Sequence, residues 1–213
     1  RFVELARKPD VRYRNAGFLP DGKSLVALSD ETGELEFWKL PANGVGAGEL
    51  LTTNGSVFRF TGVPSPDGKR LVWTDKDRKL WLHELETRQT TLVAASTRDG
   101  LDDVAWSPDS QWLAYTDPAS NLVQQIHLYH VTNAEHVVIT SDRVESYNPA
   151  WSPDGRHLAI GLQGRSGLRI VRTDTFDEVA ADRAYEDKLM ELAYDTRGRL
   201  AAVALDGRIR LYR

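Results

Sequence analysis

The sequence predicts an all-β fold, a five-bladed β-propeller, and three observations support this prediction. A turn with the pattern Pro-Asp-Gly or Pro-Asp-Ser recurs four times, and a degenerate copy follows at residues 194–198. The intervals from proline to proline, and finally to Thr196, are 46, 42, 45 and 43 residues, a period typical of a four-stranded propeller blade. Apolar residues spaced two apart follow each turn, as strands with a buried face require. The four full turns lie at residues 18–22, 64–68, 106–110 and 151–155.

Within each repeat, the turn is expected to join two antiparallel strands. Proline at the first central position presets φ at about −65°, aspartate bonds to its own backbone, and glycine tolerates positive φ. A third strand with alternating apolar residues follows a short polar loop. Leu80 and Leu82 in the second repeat correspond in this way to Ile126 and Leu128 in the third.

Four repeats continue into a fourth strand, whereas the fifth repeat ends at Arg213 after its third. A strand-like segment at residues 2–6 is predicted to supply the missing outer strand of the last blade, because closure of the ring removes unpaired sheet edges. The fourth strands are predicted at residues 49–52, 90–94, 136–140 and 176–180. The predicted blades are residues 10–53, 54–97, 98–141, 142–183, and 184–213 together with 1–7.

Composition is that of an ordinary globular protein of one domain. Of the 213 residues, 41% are hydrophobic and 27% are charged, and no low-complexity tract predicts disorder. The formal net charge of −4 and the lack of runs of like charge give no reason to expect a nucleic acid or a membrane as partner. No apolar run approaches the roughly 18 residues of a membrane span, so a soluble monomer is expected.

The cellular compartment stays undetermined. Cysteine is absent, which removes disulfides and thiolate chemistry but fits either redox environment. No signal peptide is evident. Because the sequence begins at Arg1 rather than at methionine, it does not show whether a leader peptide was removed.

Motifs for cofactors and metals are weak. Residues 17–24 satisfy the P-loop pattern, but a strand rather than a helix follows Ser24, and the same residues align with the other hairpin turns. His127 and His130 point to opposite faces of a strand because their separation is odd, so they make a poor metal pair. The Asn-Gly-Ser sequon at residues 54–56 is interpreted as a turn. No cofactor and no metal are predicted.

Polar residues are predicted to line the central channel. They stand three positions before the aromatic, or equivalent, position of each turn, and small residues follow them two positions later, where they permit close approach near the axis. The five polar residues are Asn15, Thr61, Asp103, Asn148 and Glu191. Hydrogen bonding to channel water is their expected role, and binding of an ion or a small polar ligand is the alternative.

A glycosidase is the remote alternative. Five-bladed glycosidases place an acid and a base carboxylate on the axis, and Asp103 and Glu191 both belong to the predicted ring. Inverting hydrolysis needs about 6.5–9.5 Å between two such groups. The ring lacks the aromatic residues and the additional acid of a sugar subsite, so no catalytic residue is predicted.

Four segments of the first three and a half repeats resemble a propeller of the tricorn-type protease family. They are residues 29–34, 65–69, 74–81 and 106–115, and the similarity extends over residues 10–155. Related turns occur in TolB-like propellers over a shorter stretch. The resemblance implies a non-catalytic accessory propeller that admits or releases peptides, while a separate serine peptidase domain performs the chemistry.

The C-terminal part departs from that pattern. Residues 206–212, Asp-Gly-Arg-Ile-Arg-Leu-Tyr, resemble the closing strand pair of a WD-repeat blade. Tricorn-type propellers are expected to have six or seven blades, so five repeats with a change near residue 155 suggest a recombined or engineered chimera. A natural propeller whose last two blades have drifted is the alternative.

The sequence therefore predicts a non-enzymatic β-propeller scaffold without a certain partner. The alternative is a natural module that binds a peptide or a protein on one rim, through the turns or the loop at residues 75–78. Loops of a propeller converge at its rims, and loops are where binding residues concentrate.

Overall fold

The structure, a computed structural model, describes residues 4–5, 8–53 and 55–213. These residues form 19 strands in five antiparallel sheets, with one short 3-10 helix at Gly164–Ser166. The all-β prediction is confirmed. Strands that are adjacent in a sheet are also consecutive in the chain, which is the connectivity of a propeller blade. None of the described residues belongs to a helix long and apolar enough to cross a membrane.

The chain divides into two compact units, and the first, residues 1–97, contains two four-stranded sheets. The first sheet consists of β1 (Tyr13–Phe18), β2 (Ser24–Ser29), β3 (Glu36–Pro41) and β4 (Glu49–Leu50). The second consists of β5 (Val63–Pro64), β6 (Arg70–Thr74), β7 (Lys79–Glu84) and β8 (Thr90–Ala95). Apolar side chains of the two sheets pack together, and the rings of Phe37 and Trp73 lie 5.0 Å apart. This core holds the two sheets face to face.

The second unit, residues 98–213, contains three sheets. The first comprises β9 (Asp102–Trp106), β10 (Trp112–Pro118), β11 (Gln124–His130) and β12 (Glu135–Val138). The next comprises β13 (Ser146–Trp151), β14 (His157–Leu162), β15 (Leu168–Arg172) and β16 (Glu178–Asp182). The last comprises β17 (Leu189–Tyr194), β18 (Leu200–Ala204) and β19 (Ile209–Tyr212). One core cluster joins Ile126 to Leu158, and another joins Leu168 to Leu200, so each sheet packs on the next.

Threonine side chains end two of the predicted fourth strands early. The N–H of Phe37 donates to Oγ1 of Thr52 at 2.9 Å, and the N–H of Ile126 donates to Oγ1 of Thr140 at the same distance. At both positions the threonine hydroxyl accepts the N–H that a backbone carbonyl would accept in a regular β-ladder. The strands therefore end at residues 50 and 138 rather than at 52 and 140.

The other two fourth strands are also predicted with slightly wrong bounds. β16 begins at Glu178 rather than at residue 176, because Phe176 lies in a turn with φ of 61°. β8 runs one residue further than predicted, to Ala95. These shifts leave the order of the strands unchanged.

The N-terminal strand predicted at residues 2–6 falls largely outside the described residues. Phe2, Val3 and Ala6 are not described, and Glu4 and Leu5 belong to no strand. Among the described residues the last sheet has three strands. Closure of the last blade and the number of blades in the ring stay predictions.

The repeated turns owe their shape to an aspartate side chain. Oδ1 of Asp21 accepts the N–H of Lys23 at 2.8 Å. The equivalent bond measures 3.0 Å at Asp67, Asp109 and Asp154. In the degenerate fifth turn, Asp195 accepts the N–H of Arg199 at 2.9 Å. The turns are hairpin connections, as predicted from the motif.

Candidate functional site

Three of the predicted channel residues share an unusual backbone conformation. Asn15, Asp103 and Asn148 have φ values of 50°, 51° and 50°. At each of them the pairing with the next strand shifts in register, which marks a β-bulge. Asparagine and aspartate tolerate the left-handed region better than most other residues. The recurrence of polar residues at this place therefore has a cause in the backbone.

In the second unit, two of these side chains join three neighbouring strands. Oδ2 of Asp103 accepts the N–H of Asn148 at 3.0 Å, and Nδ2 of Asn148 donates to the carbonyl oxygen of Met190 at 2.7 Å. Strands β9, β13 and β17 are connected in this way. Glu191 follows Met190 and is exposed. Asp103 and Asn148 thus have a structural role.

In the first unit, Asn15 and Thr61 are both exposed, and within the described part of the chain they make no hydrogen bond to each other. A ring of all five residues and a ligand at its centre therefore stay predictions. No cluster of three or more histidines or acids among the described residues is arranged to hold a metal ion.

A groove of about 650 Å³ opens in the first unit, beside the hairpin that joins β6 to β7. Its lining comes from β4 and the segment that follows it, from β6 and β7 with the hairpin between them, and from the turn before β8 with the first residue of β8. The loop at residues 75–78, singled out from the sequence, borders the groove through Asp75. Since the lining combines indole rings with charged and hydroxyl groups, this groove is the candidate functional site.

The floor of the groove is a buried ionic network. Arg59 is 8% exposed and Glu36 3% exposed, and Nη1 of Arg59 forms an ion pair with Oε2 of Glu36. The hydroxyl of Thr52 donates to the same carboxylate at 2.6 Å, and the guanidinium lies 5.3 Å from the ring centre of Trp73. Oε1 of Glu36 also accepts the N–H of Gly55. A buried charge that is paired and fully hydrogen-bonded holds its surroundings rigidly.

One wall of the groove is formed by Trp81, whose position is set by Asp75. Nε1 of Trp81 donates to Oδ2 of Asp75 at 2.6 Å. The other oxygen of that carboxylate accepts the N–H groups of Asp77 and Lys79 at 2.9 and 3.1 Å. Asp75 is 6% exposed. It therefore orients the indole ring and has little capacity left for a ligand.

The mouth of the groove carries two cations. Nζ of Lys79 lies 5.9 Å from the ring centre of Trp81 and 3.6 Å from the carboxylate of Asp77. Arg88 donates from Nη1 to the carbonyl oxygen of Leu50 at 2.8 Å and forms an ion pair with Glu49. Both cations are anchored and both reach solvent.

His83 forms a buried part of the wall. It is 1% exposed, and its Nδ1 lies 2.9 Å from Oγ1 of Thr90. Nε2 is buried without a hydrogen-bond partner among the described residues. Burial lowers the pKa of His83 below 6.5, the cations Arg88 and Arg59 lower it further, and the carboxylate of Glu84 opposes them. The imidazole is therefore neutral at pH 7.

An exposed aromatic pair lies next to the groove. Phe58 and Phe60 are 39% and 45% exposed, and their rings meet edge to face at 5.5 Å. The carbonyl oxygen of Phe58 accepts the N–H of Lys76 at 2.9 Å. Because side chains alternate along an extended chain, these rings face away from the groove that Arg59 lines. They form an apolar surface beside the loop at residues 75–78.

A second cavity, of about 530 Å³, lies in the second unit between two of the repeated turns. Asp154 and His157 line one side, and Tyr194 and Arg197 line the other. The side chain of Asp154 is engaged in its own turn, where the hydroxyl of Ser152 donates to it at 2.6 Å. The carboxylate of Asp154 therefore has less capacity left for a ligand.

Sequence reasoning identified the loop at the rim of the groove but missed the groove itself. Trp73 and Trp81 stand in cross-strand register in neighbouring strands, and two tryptophans flanking a short hairpin were the available signal. Arg59 and Arg88 carried no signal, because their positions depend on Glu36 and Leu50 in the preceding sheet.

Comparisons with known proteins agree with this architecture. The family model of the tricorn protease second beta propeller domain matches residues 1–159. The putative tricorn-like protease C-terminal subunit of Sulfurisphaera tokodaii is 32% identical over 157 residues, which are 73% of this chain and 17% of the relative. The chain thus spans about a sixth of the length of that curated relative.

Two solved structures share the fold. The crystal structure of the tricorn protease superposes with a TM-score of 0.69 at 14% identity and covers 98% of this chain and 27% of its own. That of TolB from Acinetobacter baumannii has a TM-score of 0.59 at 17% identity, with 94% and 53% covered. The resemblance to tricorn-type propellers, with TolB-like relatives, is confirmed. These comparisons lend no support to a chimeric or engineered origin.

Proposed function

The chain belongs to the family of the tricorn protease second β-propeller domain, and we propose that it is a non-catalytic propeller domain that binds peptides. The observation that carries the proposal is the groove beside β6 and β7, with Trp81 in its wall and Lys79 and Arg88 at its mouth. The relative from Sulfurisphaera tokodaii is named as a protease subunit. A propeller domain that is part of a protease would meet peptides, which supports peptides as the class of ligand.

The lining of the groove suits a peptide. Trp81 offers a rigid, partly exposed apolar surface whose ordering costs little side-chain entropy. Ser56 and Thr90 are exposed and line the same groove, and their hydroxyl groups can bond to the amide groups of a peptide backbone. The lining thus combines apolar side chains with hydroxyl and charged groups, and a peptide offers both kinds of surface.

The same residues argue against catalysis. Thr90 and His83 are hydrogen-bonded, as a nucleophile and its general base are in an enzyme. A working base of a catalytic triad also needs a carboxylate or amide side chain that orients its other nitrogen, and among the described residues no side chain is hydrogen-bonded to Nε2 of His83. The pair therefore serves as a wall of the groove.

The proposal is tested by isothermal titration calorimetry with acetyl-Ala-Ala-Leu-Phe, both as the free acid and as the amide. We expect saturable binding of at least one form, because Trp81 provides a surface for the apolar side chains. Trp81→Ala should weaken that binding by about fivefold or more, as truncation of an aromatic contact at a binding site does. Trp112→Ala is the matched control, since Trp112 is a half-buried tryptophan of the second unit.

The outcomes separate a binding domain from a scaffold. If neither peptide form binds at millimolar concentration, or if Trp81→Ala binds as well as the parent, the groove is not a peptide site. A role as a scaffold without a ligand would then account better for the chain. Circular dichroism of both variants shows whether a loss of binding reflects a loss of fold.

A further inference from the structure

We infer that the groove selects peptides that carry a carboxylate, which is held by Lys79 while an apolar side chain of the same peptide packs on Trp81. This inference rests on the proposed peptide binding and adds the chemical class of the ligand. The inference depends on which charged side chains of the groove are exposed to a ligand.

The charges within reach of a ligand are positive. The side chains of Lys79 and Arg88 are each 37% exposed. Asp75, the acidic residue that lines the groove, is 6% exposed and already accepts hydrogen bonds on both oxygens. Arg59 is buried, and Glu36 neutralises it. A ligand that enters the groove therefore meets two cations and no free acid among the described lining residues.

The acids that now pair with these cations stand outside the groove. Asp77 and Glu49 are each 54% exposed, and neither belongs to the lining. Ion pairs at exposed positions contribute little to stability, since water solvates both partners and salt screens them. A carboxylate of a ligand can thus replace either acid at low cost.

The cations are also held in place before a ligand arrives. Leu50 accepts a hydrogen bond of 2.8 Å from Arg88, which fixes one edge of the guanidinium. The ammonium of Lys79 lies over the ring of Trp81. An anion beside Lys79 consequently has an indole surface next to it, so an apolar side chain close to the carboxylate finds its own contact. Such preorganisation favours binding because little ordering is left to occur.

Two sources can supply the carboxylate: the C-terminus of a peptide or an acidic side chain within it. The chemistry at Lys79 is the same for both. The experiment therefore compares acetyl-Ala-Ala-Leu-Phe as the free acid, the same peptide as the amide, and acetyl-Ala-Glu-Leu-Phe as the amide, each titrated into the full chain in a calorimeter.

We expect at least one carboxylate-bearing peptide to bind about tenfold more tightly than the uncharged amide, as for a charge-assisted hydrogen bond made in a partly desolvated site. Lys79→Met, which retains the length of the side chain, should lower the ratio of the carboxylate-peptide affinity to the amide-peptide affinity from about ten to about one. Lys188→Met is the matched control, because Lys188 lies in the second unit with its ammonium 4.9 Å from the ring of Tyr147.

Each outcome decides one point. A preference for the free acid alone identifies the C-terminus as the anion, and equal preference for the glutamate peptide extends the class to acidic side chains. Equal binding of all three peptides overturns the carboxylate inference while peptide binding itself stands. If Lys79→Met is folded and still binds a carboxylate-bearing peptide more tightly than the amide, the carboxylate binds at another site, and the carboxylate inference is also overturned. Failure of all three peptides to bind removes the proposed function instead.

Discussion

At the scale of single residues, the groove depends on contacts that leave no room for larger side chains. Gly55 lies against the network below the groove, and a Cβ atom there would stand 2.5 Å from the carbonyl oxygen of Leu35 and 2.9 Å from Oε1 of Glu36. A backbone oxygen cannot yield as a flexible side chain does. The absence of a side chain at Gly55 is what lets its N–H reach the buried carboxylate.

Gly55→Ala should therefore lower the free energy of unfolding by about 1–3 kcal/mol, the usual cost of overpacking. The measurement is urea unfolding followed by circular dichroism. Gly17→Ala serves as the control, because a Cβ atom at Gly17 has no neighbour within 4 Å, and it should change stability little. Equal stability of the two variants would contradict the close contact at Gly55.

At the scale of the strand, the first strands of the sheets are shaped by bulges. The polar residues at these bulges were predicted from their spacing to the turns, and the structure adds the reason that Asn15, Asp103 and Asn148 are suited to positive φ. In the second unit, Asp103 and Asn148 also connect the bulged strands. The polar pattern, for which water binding was expected and ligand binding was the alternative, thus has a sufficient structural cause in these three residues.

Two substitutions of Asn148 separate the contribution of its side-chain hydrogen bond from that of its positive φ. Asn148→Ala removes the hydrogen bond to Met190 and places an alanine at a φ of 50°, so it should lower the free energy of unfolding by about 1–3 kcal/mol. Asn148→Gly removes the same bond without the conformational strain, so its cost should be smaller. Urea unfolding of both variants checks the order, and an alanine variant as stable as the glycine variant would contradict the role of the bulge.

At the scale of the whole molecule, stability should depend on pH through groups distributed over both units. His83 and His127 have pKa values lowered first by burial. The pKa of Asp21 is lowered by the N–H of Lys23, and that of Asp195 by the N–H of Arg199. All four groups release their proton more readily in the folded chain than in the unfolded chain.

We therefore expect the thermal midpoint to fall in two stages as the pH is lowered. The unfolded chain takes up protons on histidine below about pH 6.5 and on aspartate below about pH 3.9, while the folded chain resists both. Stability is thus fully present above each of these values and is lost as the pH falls through the lower folded pKa. Circular dichroism melts from pH 8 to pH 3 measure this, and a midpoint that rises between pH 7 and pH 5 would contradict it. His83→Gln should flatten the first stage.

Local patterns were enough to predict the repeats, the turns and most of the strands. The Pro-Asp-Gly motif shapes its own hairpin through bonds between residues two positions apart, such as that from Lys23 to Asp21, and alternation of apolar residues reports which face of a strand is buried. Both signals are contained within a few neighbouring residues. The strand ends at Leu50 and Val138 could not be predicted in this way, because the hydroxyl of a following threonine competes with the backbone only when a particular N–H of the adjacent strand is in reach.

Local sequence patterns predict the all-β class, the period of the repeats and the loop at residues 75–78 as a candidate binding loop. Packing between the two sheets of the first unit places this loop beside a groove, buries Arg59 against Glu36, and puts Lys79 and Arg88 in the lining of that groove. Local patterns do not predict these features because the residues that form them are far apart in the sequence. Hairpins form from neighbours, whereas the groove joins residues from two sheets, and the burial and charge at each position depend on the partner that packing supplies.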